Sequence, residues 1–110
     1  MQDKYKSNNG KYIINNFSAE KILERFLETE IQSAELYRGI IDFIESCEIR
    51  NGEFECNEYI IKKLDRNNFL LYPEYGDGAH VGIQVPYAMA IYKNELIKAV
   101  NDRARLNGII

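Results

Sequence analysis

The sequence contains no tryptophan, two prolines, two cysteines, one histidine and no long apolar run. Its longest uninterrupted apolar stretch, Tyr87 to Tyr92, has six residues, whereas a membrane-spanning helix needs about 20. Two cysteines are too few to hold a small secreted domain together, and the polar first residues lack the apolar core of a signal peptide. These absences predict a cytoplasmic protein without a membrane segment.

Residues that commonly carry chemistry are also scarce. A structural zinc ion needs four ligands, usually in close pairs such as C-x-x-C, but Cys47, Cys56 and His80 are the only soft ligands, eight residues separate the two cysteines, and no second pair exists. Gly76 and Gly78 lack the third glycine or lysine of a phosphate-binding loop. We therefore expect no metal or cofactor, and the missing catalytic set favours a protein that is not an enzyme.

What is present suits a small folded domain. The chain has 110 residues, of which 45% are hydrophobic and 28% charged, enough for one core. A turn signal at residues 7–10 predicts that residues 1–10 form either a flexible tail or one strand of a hairpin. Residues 11–110 are predicted to form a single domain.

The strongest periodic pattern predicts one long helix from residue 19 to about residue 46, with Ser18 as its N-cap. Gly39 interrupts this helix, which implies either a close neighbour or a bend. Leu27 and Ile31 fall off the main apolar face, so we expect them to contact a second element or a partner chain. The main face is formed by Ile22, Leu23, Phe26, Tyr37, Ile40, Ile41 and Ile44.

Asn51-Gly52 predicts a two-residue hairpin turn, because both turn positions favour positive φ. In that register Cys47 faces Cys56 and Ile49 faces Phe54 across two short strands. The two cysteines are then either a pair of reduced thiols or a labile cross-strand disulfide.

The rest of the chain predicts a short helix over 58–64, strands over 69–72 and 80–85, and a final helix from Pro86 to Gly108. The predicted fold class is α+β, with one long N-terminal helix and one C-terminal helix packed on a short antiparallel sheet of hairpins.

The charge distribution indicates an interaction protein. The net charge is −3 and the pI near 5.2, which argues against direct binding to nucleic acid or to an anionic membrane. Residues 20–58 carry eleven acidic and four basic side chains, a net charge of −7. We expect this segment to face a partner protein with a basic surface. The predicted partner-binding residues are Glu24, Glu28, Glu35 and Asp42.

A row of carboxylates can imitate the phosphates of a nucleic acid and occupy a basic groove. That possibility suits a small inhibitor or immunity-type protein carried by a phage or mobile element. The alternative is a solvated helix face of the kind that most surface helices have.

A second hypothesis is a small-ligand or nucleotide-binding domain that uses the loop 72–80. Histidine is the natural acid–base group near neutral pH, and glycines let a ligand approach the backbone. The candidate ligand-binding residues are Tyr72, Tyr75, Asp77 and His80. The same residues also suit a plain hairpin connection.

A homodimer is a further hypothesis, because Leu27, Ile31 and the pair Ile109-Ile110 offer apolar side chains outside the predicted core.

Overall fold

A computed structural model of the chain describes residues 13–14, 19–74 and 87–110. The predicted tail at 1–10, the N-cap at Ser18 and the predicted strand at 80–85 lie outside the described residues. In chain order the elements are β1 (Ile13–Ile14), α1 (Ala19–Glu30), α2 (Ala34–Glu45), β2 (Gly52–Glu55), β3 (Tyr59–Lys63), β4 (Asn68–Pro73), β5 (Tyr87–Tyr92) and α3 (Lys93–Leu106).

The prediction of one long N-terminal helix is wrong, because α1 and α2 are separate helices joined by a turn at 31–33. Ser33 has extended backbone angles, φ −134° and ψ 151°, and its hydroxyl oxygen accepts a hydrogen bond from the N–H of Leu36 at 3.2 Å. Serine competes well for backbone groups at a helix start. The N-cap of α2 therefore lies inside the stretch predicted to be continuous helix.

This break explains the two apolar residues that fell off the predicted face. Leu27 and Ile31 are buried in the core of the same chain. Because α1 and α2 are separate helices, the apolar residues of 19–46 do not have to lie on one continuous helix face. Of the two alternatives at Gly39, a close neighbour or a bend, the close neighbour is found: a Cβ added there would lie 3.2 Å from Cζ of Phe54.

The strands form one sheet in the order β1-β5-β4-β3-β2. β1 pairs in parallel with β5, and the other four strands pair antiparallel with their neighbours. Within the described residues, three helices on a mainly antiparallel sheet make the α+β class predicted from the sequence.

The hairpin predicted at Asn51-Gly52 is wrong. β2 begins at Gly52 and pairs with β3, with Phe54 opposite Ile61 and Glu55 opposite Ile60. The connection that closes this hairpin is Asn57-Glu58, where the N–H of Cys56 donates to the carbonyl of Tyr59 at 2.8 Å. Gly52 still uses its conformational freedom, with φ +150°, but at the start of a strand.

The short helix predicted over 58–64 is also wrong, because most of this stretch is β3. Ile60, Ile61 and Leu64 satisfy a helical spacing, but a short apolar run fits a buried strand equally well. Both faces of the strand are covered, as Ile60 and Ile61 are buried. Leu64, the residue after β3, is 43% exposed.

The strand predicted at 69–72 is confirmed as β4, which the flanking turn residues lengthen by one position at each end. The final helix starts later than predicted. Tyr87–Tyr92 is β5, and α3 begins at Lys93. Met89 and Tyr92 were assigned to the helix, yet β5 pairs antiparallel with β4 through Leu71 opposite Met89 and Asn68 opposite Tyr92.

The predicted helix end at Gly108 is confirmed. Gly108 has φ +76°, and the N–H of Ile109 donates to the carbonyl of Ala104 at 2.8 Å, as expected when a glycine ends a helix. Asn107 also donates from Nδ2 to the carbonyl of Ile31 at 2.9 Å. The end of α3 is thereby tied to the turn between α1 and α2.

Side chains alternate between the two faces of the sheet. The helices cover one face, where the main core includes Tyr59, Ile61, Phe69, Leu71, Met89 and Ile91. The other face carries a smaller buried cluster made of Ile60, Leu70, Tyr72 and Ala88. Acidic helix residues that point away from the main core are consequently left on the surface.

Candidate interaction surface

The most acidic surface begins on α1. Glu20, Glu24 and Glu28 are exposed and follow one another at intervals of four residues. Four residues of helix rise about 6 Å, and a four-residue step keeps side chains on one side of the helix. Lys21 and Arg25 are also exposed, so α1 presents a row of carboxylates with two neighbouring cations.

α2 also carries exposed acidic residues. Glu35 and Asp42 are exposed. The predicted partner-binding residues Glu24, Glu28, Glu35 and Asp42 are therefore all at the surface, but the turn at 31–33 divides them into one pair on α1 and one pair on α2. None of these four carboxylates has an ion pair with another described residue.

The whole acidic segment follows this pattern with one exception. Ten of the eleven acidic residues between 20 and 58 are exposed, and only Glu30 is buried. The basic end of the chain differs, because Lys98 and Arg105 on α3 pair with Asp102 at 2.6 and 3.2 Å. Outside that segment the described residues carry seven basic and four acidic side chains, so the excess of negative charge lies on residues 20–58.

Glu30 is fully buried at the end of α1 and binds three successive backbone amides of the β2–β3 connection. Oε1 accepts from the N–H of Asn57 at 2.9 Å, and Oε2 accepts from Glu58 at 2.6 Å and Tyr59 at 2.8 Å. A carboxylate gains its strongest hydrogen bonds from such donors. We name these three contacts the Glu30 clamp. It makes Glu30 a structural residue rather than part of the surface.

The Glu30 clamp also acts on its neighbour Cys56. Burial raises the pKa of the Cys56 thiol far above its usual range, and the nearby Glu30 carboxylate raises it further because a thiolate would be repelled. Cys47 is exposed, and both cysteines are free thiols. The predicted facing of Cys47 and Cys56 is wrong, since Cys47 precedes β2 and belongs to no strand.

The second buried charge is Lys63, at 1% exposure. It lies on the helix face of β3 and donates from Nζ to the carbonyls of Ser46 at 2.8 Å, Ile44 at 3.4 Å and Phe43 at 3.5 Å. These carbonyls end α2, where a cation suits the helix dipole. Nζ also lies 5.8 Å from the ring centre of Phe69 and 5.9 Å from that of Phe43.

Neither buried charge was identified from the sequence. Glu30 looked like one more acid of a helix, and no local pattern reveals a contact with residues 27 to 29 positions away. The sequence did contain a signal for the burial of Lys63. Once the stretch is interpreted as a strand, Tyr59, Ile61 and Lys63 are alternate positions on the same face.

Of the residues proposed for a ligand site, only Tyr72 is described. It is buried in β4, and its hydroxyl donates to Oε2 of Glu53 at 3.3 Å. Tyr75, Asp77 and His80 lie outside the described residues. Across the described ranges, no group of three or more histidine, cysteine, aspartate or glutamate side chains is arranged to hold a metal ion.

No described helix combines the length and apolar character required to cross a bilayer. The sequence matches no protein-family model, and no curated protein or solved structure is similar enough to count as a match.

Proposed function

We propose that this chain is a non-catalytic interaction protein whose acidic surface binds a basic surface of another macromolecule and blocks it. The surface consists of the exposed carboxylates of α1 and α2, with Glu24, Glu28, Glu35 and Asp42 at its centre. The observation that supports the proposal is the exposure of ten of the eleven acidic residues between 20 and 58.

The physical basis is electrostatic attraction at long range. A surface of one charge sign raises the rate at which an oppositely charged partner is met in the right orientation. Each exposed ion pair contributes little affinity. The net charge of −7 on residues 20–58 is therefore expected to act through the combined electrostatic potential of many side chains. Screening by salt weakens such a field, because the Debye length falls to about 3 Å at 1 M salt.

The spacing of the carboxylates suits a protein that ordinarily binds a polyanion. Glu20, Glu24 and Glu28 repeat about every 6 Å along α1, and a basic groove that accepts a phosphate backbone accepts a regular row of negative charges as well. We therefore place nucleic-acid-binding proteins first among the partners to be tested, including those that a phage or mobile-element inhibitor would block.

The test uses the intact chain as bait in a lysate of its source cells, with mass spectrometry of the bound proteins. The variant Glu24→Gln/Glu28→Gln/Glu35→Gln removes three negative charges from the surface. The control Asn94→Lys/Glu95→Lys changes the net charge by the same +3 at exposed positions of α3. We expect a discrete partner that wild type and control retain, and that the triple variant loses.

Equal recovery of that partner by all three proteins would contradict the proposal, as would a partner that stays bound at about 1 M salt, where charge attraction between exposed groups is screened. Circular dichroism of each variant confirms that the fold is unchanged before the comparison.

A further inference from the structure

The dipeptide Asn51-Gly52 combines an exposed asparagine with the first glycine of β2. The side chain of Asn51 forms no hydrogen bond with another described residue. In any asparagine the side-chain amide carbon lies within reach of the backbone nitrogen of the next residue. A glycine in that next position carries no side chain that would shield its nitrogen. Asn51 therefore has the local chemistry for an attack by its own backbone.

The reaction is a deamidation that needs only water. The Gly52 nitrogen loses its proton to solvent and forms a bond to Cγ of Asn51, the bond between Cγ and Nδ2 breaks, and ammonia leaves. A water molecule then opens the cyclic succinimide at either ring carbonyl. The products are aspartate and isoaspartate, and each carries a carboxylate where the amide stood. The reaction thereby adds one negative charge to the acidic segment 20–58.

The second described Asn-Gly pair, Asn107-Gly108, is held in a way that opposes this reaction. Nδ2 of Asn107 donates to the carbonyl of Ile31 at 2.9 Å, and the N–H of Gly108 donates to the carbonyl of Arg105 at 3.2 Å. The side-chain amide and the attacking nitrogen would both have to leave their partners before they could meet. The same dipeptide is thus placed in two different environments.

Two other exposed asparagines differ from Asn51 in the same respect. The N–H of Glu58, which follows Asn57, donates to Oε2 of Glu30 at 2.6 Å. The N–H that follows Asn67 donates to Oδ1 of Asp65 at 3.0 Å. In both places the potential nucleophile is bound to a carboxylate and also carries a side chain that obstructs its approach.

Gly52 occupies the end of the pairing between β2 and β3. It lies opposite Lys63, the last residue of β3. Because the N–H of Cys56 donates to the carbonyl of Tyr59, alternation along the strand points the peptide group of Gly52 toward β3 as well. The ends of paired strands open more easily than their centres, and residues 47–51 belong to no helix or strand. The Gly52 nitrogen can therefore be released without unfolding of the core.

We propose that Asn51 is a site of spontaneous deamidation in the folded chain, with the backbone nitrogen of Gly52 as the nucleophile. Isoaspartate lengthens the backbone by one carbon directly before β2, so Gly52 loses its position opposite Lys63. Phe54 keeps its place, because its ring packs 5.5 Å from that of Phe43, centre to centre. The inference is independent of the proposed function.

The test is mass-spectrometric peptide mapping of the purified chain after incubation at pH 8, with each Asn-Gly pair of the sequence read on its own peptide. We expect Asn51 to convert about tenfold faster than Asn107 in the folded chain, because the hydrogen bonds around Asn107 must break first. In concentrated urea the two rates are expected to converge. The control Asn51→Gln has a longer side chain that would have to close a larger ring, and its peptide is expected to stay unchanged.

Equal rates at Asn51 and Asn107 in the folded chain would overturn the inference. Conversion of Asn51 in urea without any conversion in the folded chain would overturn it too, because the end of β2 would then protect Gly52. Wild type alone supplies both comparisons, so the result does not depend on the folding of a variant.

Discussion

The carboxylate of Glu30 accepts a hydrogen bond from the backbone N–H of Tyr59 at 2.8 Å, across 29 positions of sequence. The same carboxylate binds the N–H groups of Asn57 and Glu58. Through these three hydrogen bonds Glu30 fixes the connection between β2 and the start of β3 against the end of α1.

The first prediction concerns the stability that the Glu30 clamp provides. Glu30→Ala leaves three amide donors without their acceptor, one of them fully buried, so we expect the free energy of unfolding to fall by about 3 kcal/mol. Glu30→Gln retains one acceptor oxygen and is expected to lose less. Urea unfolding measures both values. The matched control is Glu28→Ala, an exposed position on the same helix, with an expected change within about 0.5 kcal/mol.

If Glu30→Ala and Glu28→Ala changed stability equally, the clamp would have no energetic role. A lowered m-value in Glu30→Ala would indicate instead that the hairpin connection opens before the rest of the chain.

The second prediction concerns thiol reactivity. The raised pKa of Cys56 keeps its thiol protonated at pH 8, and the thiolate is the reactive form. With iodoacetamide we expect Cys56 to react at least about tenfold more slowly than exposed Cys47, since each unit of raised pKa lowers the thiolate fraction tenfold. Cys47→Ser and Cys56→Ser allow each rate to be measured separately. Glu30→Gln is expected to speed the reaction of Cys56, because the neighbouring negative charge is removed.

Similar rates for the two cysteines in the folded protein would refute this prediction. Measurement in concentrated urea supplies the reference, because unfolding removes the difference in burial and the two rates should converge.

The third prediction concerns the pH dependence that Lys63 contributes. Burial, followed by the neighbouring cations Lys93 and Arg66, lowers the pKa of Lys63 from its ordinary value of 10.5. Below the lowered folded pKa Lys63 is protonated in both states, so the folded state carries the cost of a buried charge. As the pH rises from the lowered folded pKa toward 10.5, the folded state releases this proton first and stability increases.

The comparison is between wild type and Lys63→Met, which keeps a similar apolar length. We expect the unfolding free energy of wild type to rise relative to Lys63→Met between pH 7 and pH 10, because other ionisable groups are common to both proteins and cancel. A difference that stays constant over this range would show that Lys63 titrates at its ordinary pKa.

The fourth prediction concerns the contact between Gly39 and Phe54. Alanine favours a helix over glycine by about 1 kcal/mol, but its Cβ would lie 3.2 Å from the Phe54 ring, which is tighter than a normal contact. We expect Gly39→Ala to stabilise the wild type by much less than this amount. In a Phe54→Leu background the full gain of about 1 kcal/mol should appear.

A double-mutant cycle by thermal or urea unfolding gives the coupling energy. Additive effects of Gly39→Ala and Phe54→Leu would mean that the ring moves aside without cost.

The parts of the fold that the sequence predicted correctly depend on local information. The strand β4 is a short apolar run between turn residues, and Gly108 ends α3 because glycine adopts positive φ easily. Gly39 within a helix pointed correctly to a close neighbour. The exposure of Glu24, Glu28, Glu35 and Asp42 followed from helical periodicity, which survives within each of the two shorter helices.

The errors occurred where two local structures were equally compatible with the residues. Asn51-Gly52 suits a hairpin turn, but β2 pairs with the strand after it. Residues 58–64 suit a helix, but Tyr59–Lys63 pairs with β2 on one side and with β4 on the other. Ser33 suits either a helix interior or an N-cap, and the choice depends on whether Leu27 and Ile31 can both reach the core.

Composition and periodicity are local properties, and they were enough to predict the α+β class, the apolar residues available for one core and the strongly acidic charge of residues 20–58. Long-range contacts fix which strands pair, where the first helix ends and why one glutamate of eleven is buried. Those outcomes depend on contacts such as the Glu30 clamp and the Lys63 contact with the end of α2. Each joins residues far apart in sequence, and the gain in each arises only when both partners leave water together.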